Sequence, residues 1–372
     1  MTRKISNIIV ASVFALIIVG LSLALVISPK AAIIDSERRA SATLPDLSWK
    51  NIRSGLVSDG MENYLADGFF ARDVFRRIKA RFQTGALFMK ENNSIAEKNG
   101  YFTKIETKLN DASLKNAGEK LKKIYEKYVI NAGGKCYVSI IPDKSYYFAR
   151  DYGYPSYDFS EMTEKIASYL ADAEYIDLTS LLSLDCYYKT DTHWRQEKIV
   201  GVAAEILKKT GRGEPLTSDE IEAVYKINAL EGFSGVYAGQ SAMDPSPETL
   251  YYLTSAALDG CRVYDYETMR FIPVYDTEKF DGGDGYDVFL SGTKPILKIE
   301  NPAADTDAEL IVFRDSFGSS IAPLLVGSYR RVTLIDIRYV SPEALGSYVS
   351  FGGADVLFLY SAAIMNNSFS FR

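Results

Sequence analysis

The sequence predicts an α/β protein built on a mainly parallel sheet with helices on both faces, preceded by one membrane-spanning helix. Three observations carry this. "KCYVSIIP" follows a glycine pair, "AELIVF", "RRVTLIDIR" and "ADVLFLYSA" recur near the C-terminus, and helix-like segments separate them. Short, continuously apolar runs bounded by turn residues are the mark of strands buried on both faces, and parallel strands need helical crossovers between them.

Taken in order, the chain opens with Arg3 and Lys4 and then an uncharged run, "ISNIIVASVFALIIVGLSLALVISP", that lasts to Lys30. As a helix it is roughly 38 Å long against a hydrocarbon core of about 30 Å, enough to span it. "ALVISPKAA" offers no convincing small-x-small cleavage site, so residues 1–30 are read as an uncleaved anchor, the alternative being a removed secretory signal. Basic residues flank both ends and orient the helix weakly. No second run of spanning length follows, so the body is expected on the extracytoplasmic side of a single-pass membrane protein.

Residues 31–60 are polar, with Ser, Asp and Pro and no sustained period, and are read as a stalk leading to a sheet domain over 61–372. From Arg72 to Phe82 apolar and basic residues alternate at helical spacing, and "NGYFTK" reads as a turn into a strand. Leu114, Ala117, Leu121, Ile124 and Tyr128 define an amphipathic helix, a second is expected over Glu161 to Leu170, and "YIDLTSLL" is short and apolar. Ile199, Val202, Ala203, Ile206 and Leu207 share one face of a helix that "KKTGRG" closes with basic residues and a glycine. Residues 212–300 break the rhythm: rich in Tyr, Gly and Asp, they read as an insertion of small strands and long loops, the kind of segment that walls a site. The last third then runs strand, helix ("SSIAPLLVGSY"), strand, capped helix ("SPEALGSYV"), strand.

Composition excludes several functions. With 42 basic against 48 acidic side chains the net charge is -6, which lacks the excess that phosphate backbones require, so no nucleic acid is expected. Cys136, Cys186 and Cys261 allow at most one disulfide, and with a single histidine in 372 residues no metal site and no cofactor are predicted.

Two motifs could carry chemistry. In "RDSFGSS", Ser316 falls between a strand and a helix, where free N–H groups at the helix start can stabilise an oxyanion and the turn exposes the hydroxyl. Taken alone, the motif favours the plainer reading, in which Asp315 or Ser316 merely caps that helix. In "DTHW", Asp191 lies two residues before His193, near enough to fix its tautomer, while a lone histidine beside Trp194 is more often a satisfied structural residue. If serine acyl chemistry occurs by a triad, its base can only be His193.

"YYKTDTHW" with its following helix, and "IVFRDSFGSSIAPLL…RRVTLIDIRY…DVLFLY", resemble the bacterial DHHW proteins and the related alginate O-acetylation proteins, whose α/β domain is a permuted, flavodoxin-like SGNH hydrolase fold. The likeness includes "DGFFARD", "KNGYF", "IIPDKSYY", "FSGVYAGQ" and "YDVFLSGTKPIL". It implies a triad of Ser316, His193 and Asp191, with Thr192 where the name-giving motif has its first histidine. For the oxyanion hole it offers the Ser316 N–H and, through "FLSGTKP", Gly292, with Thr293 where an amide is expected. It further implies O-acetyl transfer to an exopolysaccharide or cell-wall glycan outside the cytoplasm, with a membrane-bound O-acyltransferase as donor partner. An acetylesterase with the same triad and a non-catalytic glycan-binding or scaffold protein are the competing readings, and the Tyr-rich insertion is expected to stack on sugar rings.

Overall fold

The computed structural model describes residues 3–27, 30–213 and 218–372. Ser28 and Pro29, within the segment searched for a cleavage site, lie outside the described residues. The chain divides into two compact units, one of residues up to Asn93 with Ala238–Asp244, the other of Ser94–Tyr237 with Pro245–Arg372. The division therefore falls at 93/94, whereas the sequence reading started the sheet domain at residue 61.

The first unit begins with helix α1 (Arg3–Ile27), whose span Arg3–Leu25 is long and apolar enough to cross a membrane and is not buried by any other part of the chain. A single helical turn, Trp49–Arg53, leads into two longer helices, α2 (Leu56–Asp67) and α3 (Arg72–Arg81).

The second unit is organised by eight strands: β1 (Cys136–Ile141), β2 (Glu174–Tyr175), β3 (Arg262–Asp265), β4 (Arg270–Ile272), β5 (Ile296–Glu300), β6 (Glu309–Arg314), β7 (Arg331–Ile335) and β8 (Asp355–Ser361). Their order across the sheet is β4-β3-β5-β7-β6-β8-β1-β2. From β7 to β2 every pairing is parallel, and from β4 to β7 every pairing is antiparallel. The sheet is thus parallel over the five strands from β7 to β2, as the sequence leads one to expect, and mixed as a whole, because the segment read as an insertion adds β3, β4 and β5 to its edge as antiparallel strands. Such additions are common on large parallel sheets because an exposed edge accepts a strand of either direction.

Counting the parallel strands from β6 gives the order 2-1-3-4-5, that of the doubly wound flavodoxin-like sheet, with β1 and β2 moved to the front of the chain. In that order the switch point lies between the first and third strands, here β6 and β8, and ligands bind beyond the carboxyl ends at that point.

The central strands β6 and β8 feed two cores. Leu310, Val312, Leu357 and Leu359 face Ile321 and Leu325 of helix α7 (Phe317–Leu325) and Val202 and Ile206 of helix α6 (Val200–Thr210). Ile311, Phe313, Val356 and Phe358 face Leu114 and Leu121 of helix α4 (Asp111–Ile124) and Met162 and Ile166 of helix α5 (Phe159–Ala167). Period-two alternation with both faces covered explains why these strands are apolar without a break, each large side chain contributing about 1.5–3 kcal/mol by its burial. Asn110 and Asp158 cap α4 and α5, and Gly211 in the left-handed region ends α6. "SPEALGSYV" forms a 3-10 segment, Pro342–Ser347, in place of an α-helix, because Gly346 and the Gly352–Gly353 pair interrupt the short link between β7 and β8. Cys136, Cys186 and Cys261 are all free thiols.

Candidate active site

Ser316 follows β6, at the switch point the topology marks. From Leu310 to Val326 it is the one residue that is not buried, so strand and helix lift its hydroxyl out of the core. Asp315 does the capping that the sequence left open between the two residues: one carboxylate oxygen accepts the Phe317 N–H at 3.0 Å and the other the Ser361 N–H, at the end of β8, at 2.8 Å. The hydroxyl of Ser316 is thereby left for another partner. Among the described residues its backbone N–H donates to no acceptor, and Ser316 stands at the start of α7, where the helix dipole favours negative charge. Gly318 permits this turn: a Cβ there would sit 2.6 Å from that of Arg314, a fully buried cation whose stem passes beneath the helix start.

The partner is His193. Its Nε2 lies 2.7 Å from Ser316 Oγ and its Nδ1 2.6 Å from Asp191 Oδ1. With Asp191 accepting at Nδ1–H, the imidazole presents an unprotonated Nε2 to the serine hydroxyl, the tautomer a general base needs. Asp191 is fully buried and held from three directions, since its Oδ1 also accepts the His193 N–H at 3.0 Å and its Oδ2 the Val236 N–H at 2.8 Å. Gly235 makes the last bond possible. A Cβ at that position would come within 2.4 Å of the Thr190–Asp191 peptide, so only glycine lets the "FSGVY" loop approach closely enough.

The loop bearing Asp191 and His193 is a tight turn between Tyr187 and Trp194, closed by an antiparallel bridge. The Lys144 ammonium, fully buried, donates to the carbonyls of Tyr188 at 2.9 Å, Lys189 at 3.0 Å and Asp191. Burial pushes this amine down to about 7, against the attraction of Asp191 and Glu248. Glu248 takes the N–H groups of Lys189 and Thr190 from the other side.

Two residues that sequence reasoning missed hold the imidazole plane. Tyr286 stacks on His193 with centroids 3.8 Å apart and planes within 6°. Ser320, one helical turn beyond Ser316, accepts both the Trp194 indole N–H and the Tyr286 hydroxyl at 2.7 Å. Trp194 is therefore a core residue, packed edge-on against Phe317, while its neighbour His193 serves the site. Gly292 is placed otherwise than the motif implied: its N–H donates to the Phe289 carbonyl at 3.1 Å, and among the described residues no hydrogen bond joins it to Ser316 or His193. Thr293 likewise makes none to them. Among the described residues no group of His, Cys, Asp or Glu could hold a metal ion.

No family model and no curated protein matches the sequence. Solved structures do share the fold. A DHHW family protein from Eubacterium siraeum aligns with a TM-score of 0.61 at 19% identity, covering 75% of this chain and 95% of its own. PatB1 from Bacillus cereus aligns at 0.57 and 17%, covering 73% and 96%, and a second structure of it, with a sulfonyl adduct, at 0.58 and 19%, covering 73% and 95%. The likeness in fold thus covers about three quarters of this chain and nearly all of each of those proteins.

Proposed function

We propose that this chain is an O-acetyltransferase that works through an acetyl-serine at Ser316. The observation that carries the reading is the continuous line Ser316 Oγ to His193 Nε2, 2.7 Å, and His193 Nδ1 to Asp191 Oδ1, 2.6 Å, made by the sole histidine of the chain. Ser316 Oγ attacks the acetyl carbonyl while His193 Nε2 takes its proton. The tetrahedral oxyanion is held by the Ser316 N–H at the start of α7. His193 then returns the proton to the departing donor oxygen, leaving acetyl on Ser316. A sugar hydroxyl gives its proton to His193 as it attacks the ester, and collapse restores Ser316.

Extracytoplasmic transfer to an exopolysaccharide or cell-wall glycan, with a membrane-bound O-acyltransferase as the source of acetyl groups, is supported by the motif resemblance and by the spanning helix, which would keep the catalytic domain close to such a donor. Acetyl on Ser316 is tested with the full chain in detergent and an activated acetyl ester, the adduct being located by mass spectrometry with and without oligosaccharides. Transfer of the Ser316 acetyl to sugar supports the proposal. Acetyl lost only to water would make the protein an esterase. No adduct in wild type would end the enzyme reading.

A further inference from the structure

Helix α3 is built inside out. Arg72, Arg76 and Ala80, spaced four residues apart, face inward: Arg72 and Arg76 both pair with Glu37, and Arg76 also donates to the carbonyls of Gly239 and Gln240 in the same unit. Its apolar residues face out. Val74, Phe75, Ile78 and Phe82 fall on one side of the helix and are about half exposed, and Phe88, beyond it, is 83% exposed. Water would favour the opposite rotation, and burial of guanidinium stems in place of Phe and Ile is stable only if the outer face has an apolar medium of its own.

We infer that this face lies in the lipid surface beside the chain's own spanning helix. Five observations select lipid as the occupant. Leu25, near the end of α1, lines an apolar cleft with Val57, Met61, Leu65 and Phe69, so α2 is packed at the level where the spanning helix leaves the bilayer. Lys30, the first residue described after α1, places its ammonium 3.1 Å above the Tyr64 ring of α2, fastening the same corner. Trp49 is 83% exposed within a stretch that also exposes Leu47, Ile52 and Leu56, and tryptophan is the side chain most at home at the interface. The whole chain is acidic, yet residues 30–93 hold eleven of its basic and only eight of its acidic side chains, a sign that suits anionic headgroups. Arg77, Lys79 and Arg81 flank the apolar stripe of α3 and are exposed, as an interfacial helix requires.

The protein has two tryptophans, and Trp194 is fully buried in the other unit, so Trp49 reports on this surface. Full-length protein is reconstituted in phosphatidylcholine vesicles containing phosphatidylglycerol, with bromine placed either near the top or near the end of the acyl chains. Shallow bromine should quench the Trp49 emission more than deep bromine, acrylamide should quench it less in vesicles than in detergent, and Trp49→Phe should remove the quenchable part. Ile78→Trp in the Trp49→Phe background should restore it, which reads α3 itself. Because the spanning helix keeps any variant on the vesicle, quenching distinguishes docking from tethering. Probes at 49 and 78 that are open to acrylamide and untouched by bromine in either position would overturn the inference, and would leave a protein partner as the occupant.

Discussion

The phenol ring of Tyr286 and the imidazole of His193 lie face to face, 3.8 Å apart, and the Tyr286 hydroxyl is tied to Ser320 on the helix that also carries Ser316. In the proposed reaction His193 becomes a cation against an electron-rich face when it accepts the serine proton, an attraction absent from the resting protein. Such pairs are worth about 1–2 kcal/mol where water is excluded, so Tyr286→Leu should slow acylation of Ser316 by about five- to thirtyfold. Burst kinetics with an activated ester should show kcat falling with KM unchanged. A matching rise in KM would mean that Tyr286 binds substrate and does not steady the base.

Ser320 should behave as a positioning residue. Ser320→Ala leaves the Trp194 N–H and the Tyr286 O–H buried with no acceptor, at about 1–3 kcal/mol each. The expected result is a lower melting temperature together with slower acylation. Ser320→Thr, which keeps the oxygen, should recover much of the rate; recovery of neither quantity would show that the hydroxyl is not the cause.

Asp191→Asn keeps the shape of the turn and removes the charge that holds the imidazole tautomer, so acylation should fall by about three to four orders of magnitude while the fold survives. Gly235→Ala attacks the same bond from behind. A methyl group within 2.4 Å of the Thr190–Asp191 peptide must push the 234–237 loop away and with it the Val236 N–H. A loss of about ten- to a hundredfold is expected, about 1.4–2.8 kcal/mol. Full activity in Gly235→Ala would show that the approach of this loop does not matter to the carboxylate.

How much of this was legible in the sequence follows from the range of the interactions involved. The strands from β6 to β8 are written in local apolar runs, and Asp191 and His193 are two residues apart, so both could be read directly. Ser316 could be placed at a strand–helix junction, but that Asp315 takes the cap depends on the Ser361 N–H, which a long return of the chain delivers. Tyr286 and Lys144 carry no local signal, since one reaches His193 from the insertion and the other reaches the same turn from the end of β1. Ser320 did have one, its spacing of four from Ser316 on a helix. The antiparallel edge was hidden because β3, β4 and β5 are short and half-polar. Helix α3 was legible as a helix, yet its pattern cannot say which face turns inward; Glu37 decides that by pairing with Arg72 and Arg76.

The last prediction concerns Asp143, between β1 and Lys144. Its carboxyl is buried, with Oδ2 accepting the Tyr157 hydroxyl at 3.3 Å and the backbone of Ala363 beside it. Burial, helped by the negative charges of Glu106 and Asp315, pushes it up to about 7 from an ordinary 3.8. Between about pH 4 and 7 the folded protein therefore keeps a proton that the unfolded chain has lost, so stability falls as pH rises through that window and stays lower above it. The cost is at most about 4 kcal/mol. Asp143→Asn is always neutral and retains an acceptor for Tyr157, so it should melt higher than wild type at pH 8 and at nearly the same temperature at pH 4. Lys144 does not confuse the measurement. Held down to about 7, it releases its proton in the folded state first, so its effect is a rise in stability between about pH 7 and 10.5, above the window of Asp143. A gap between wild type and Asp143→Asn that is the same at pH 4, 6 and 8 would mean that Asp143 ionises freely, and that the cluster behind the Asp191 turn is wetter than its burial implies.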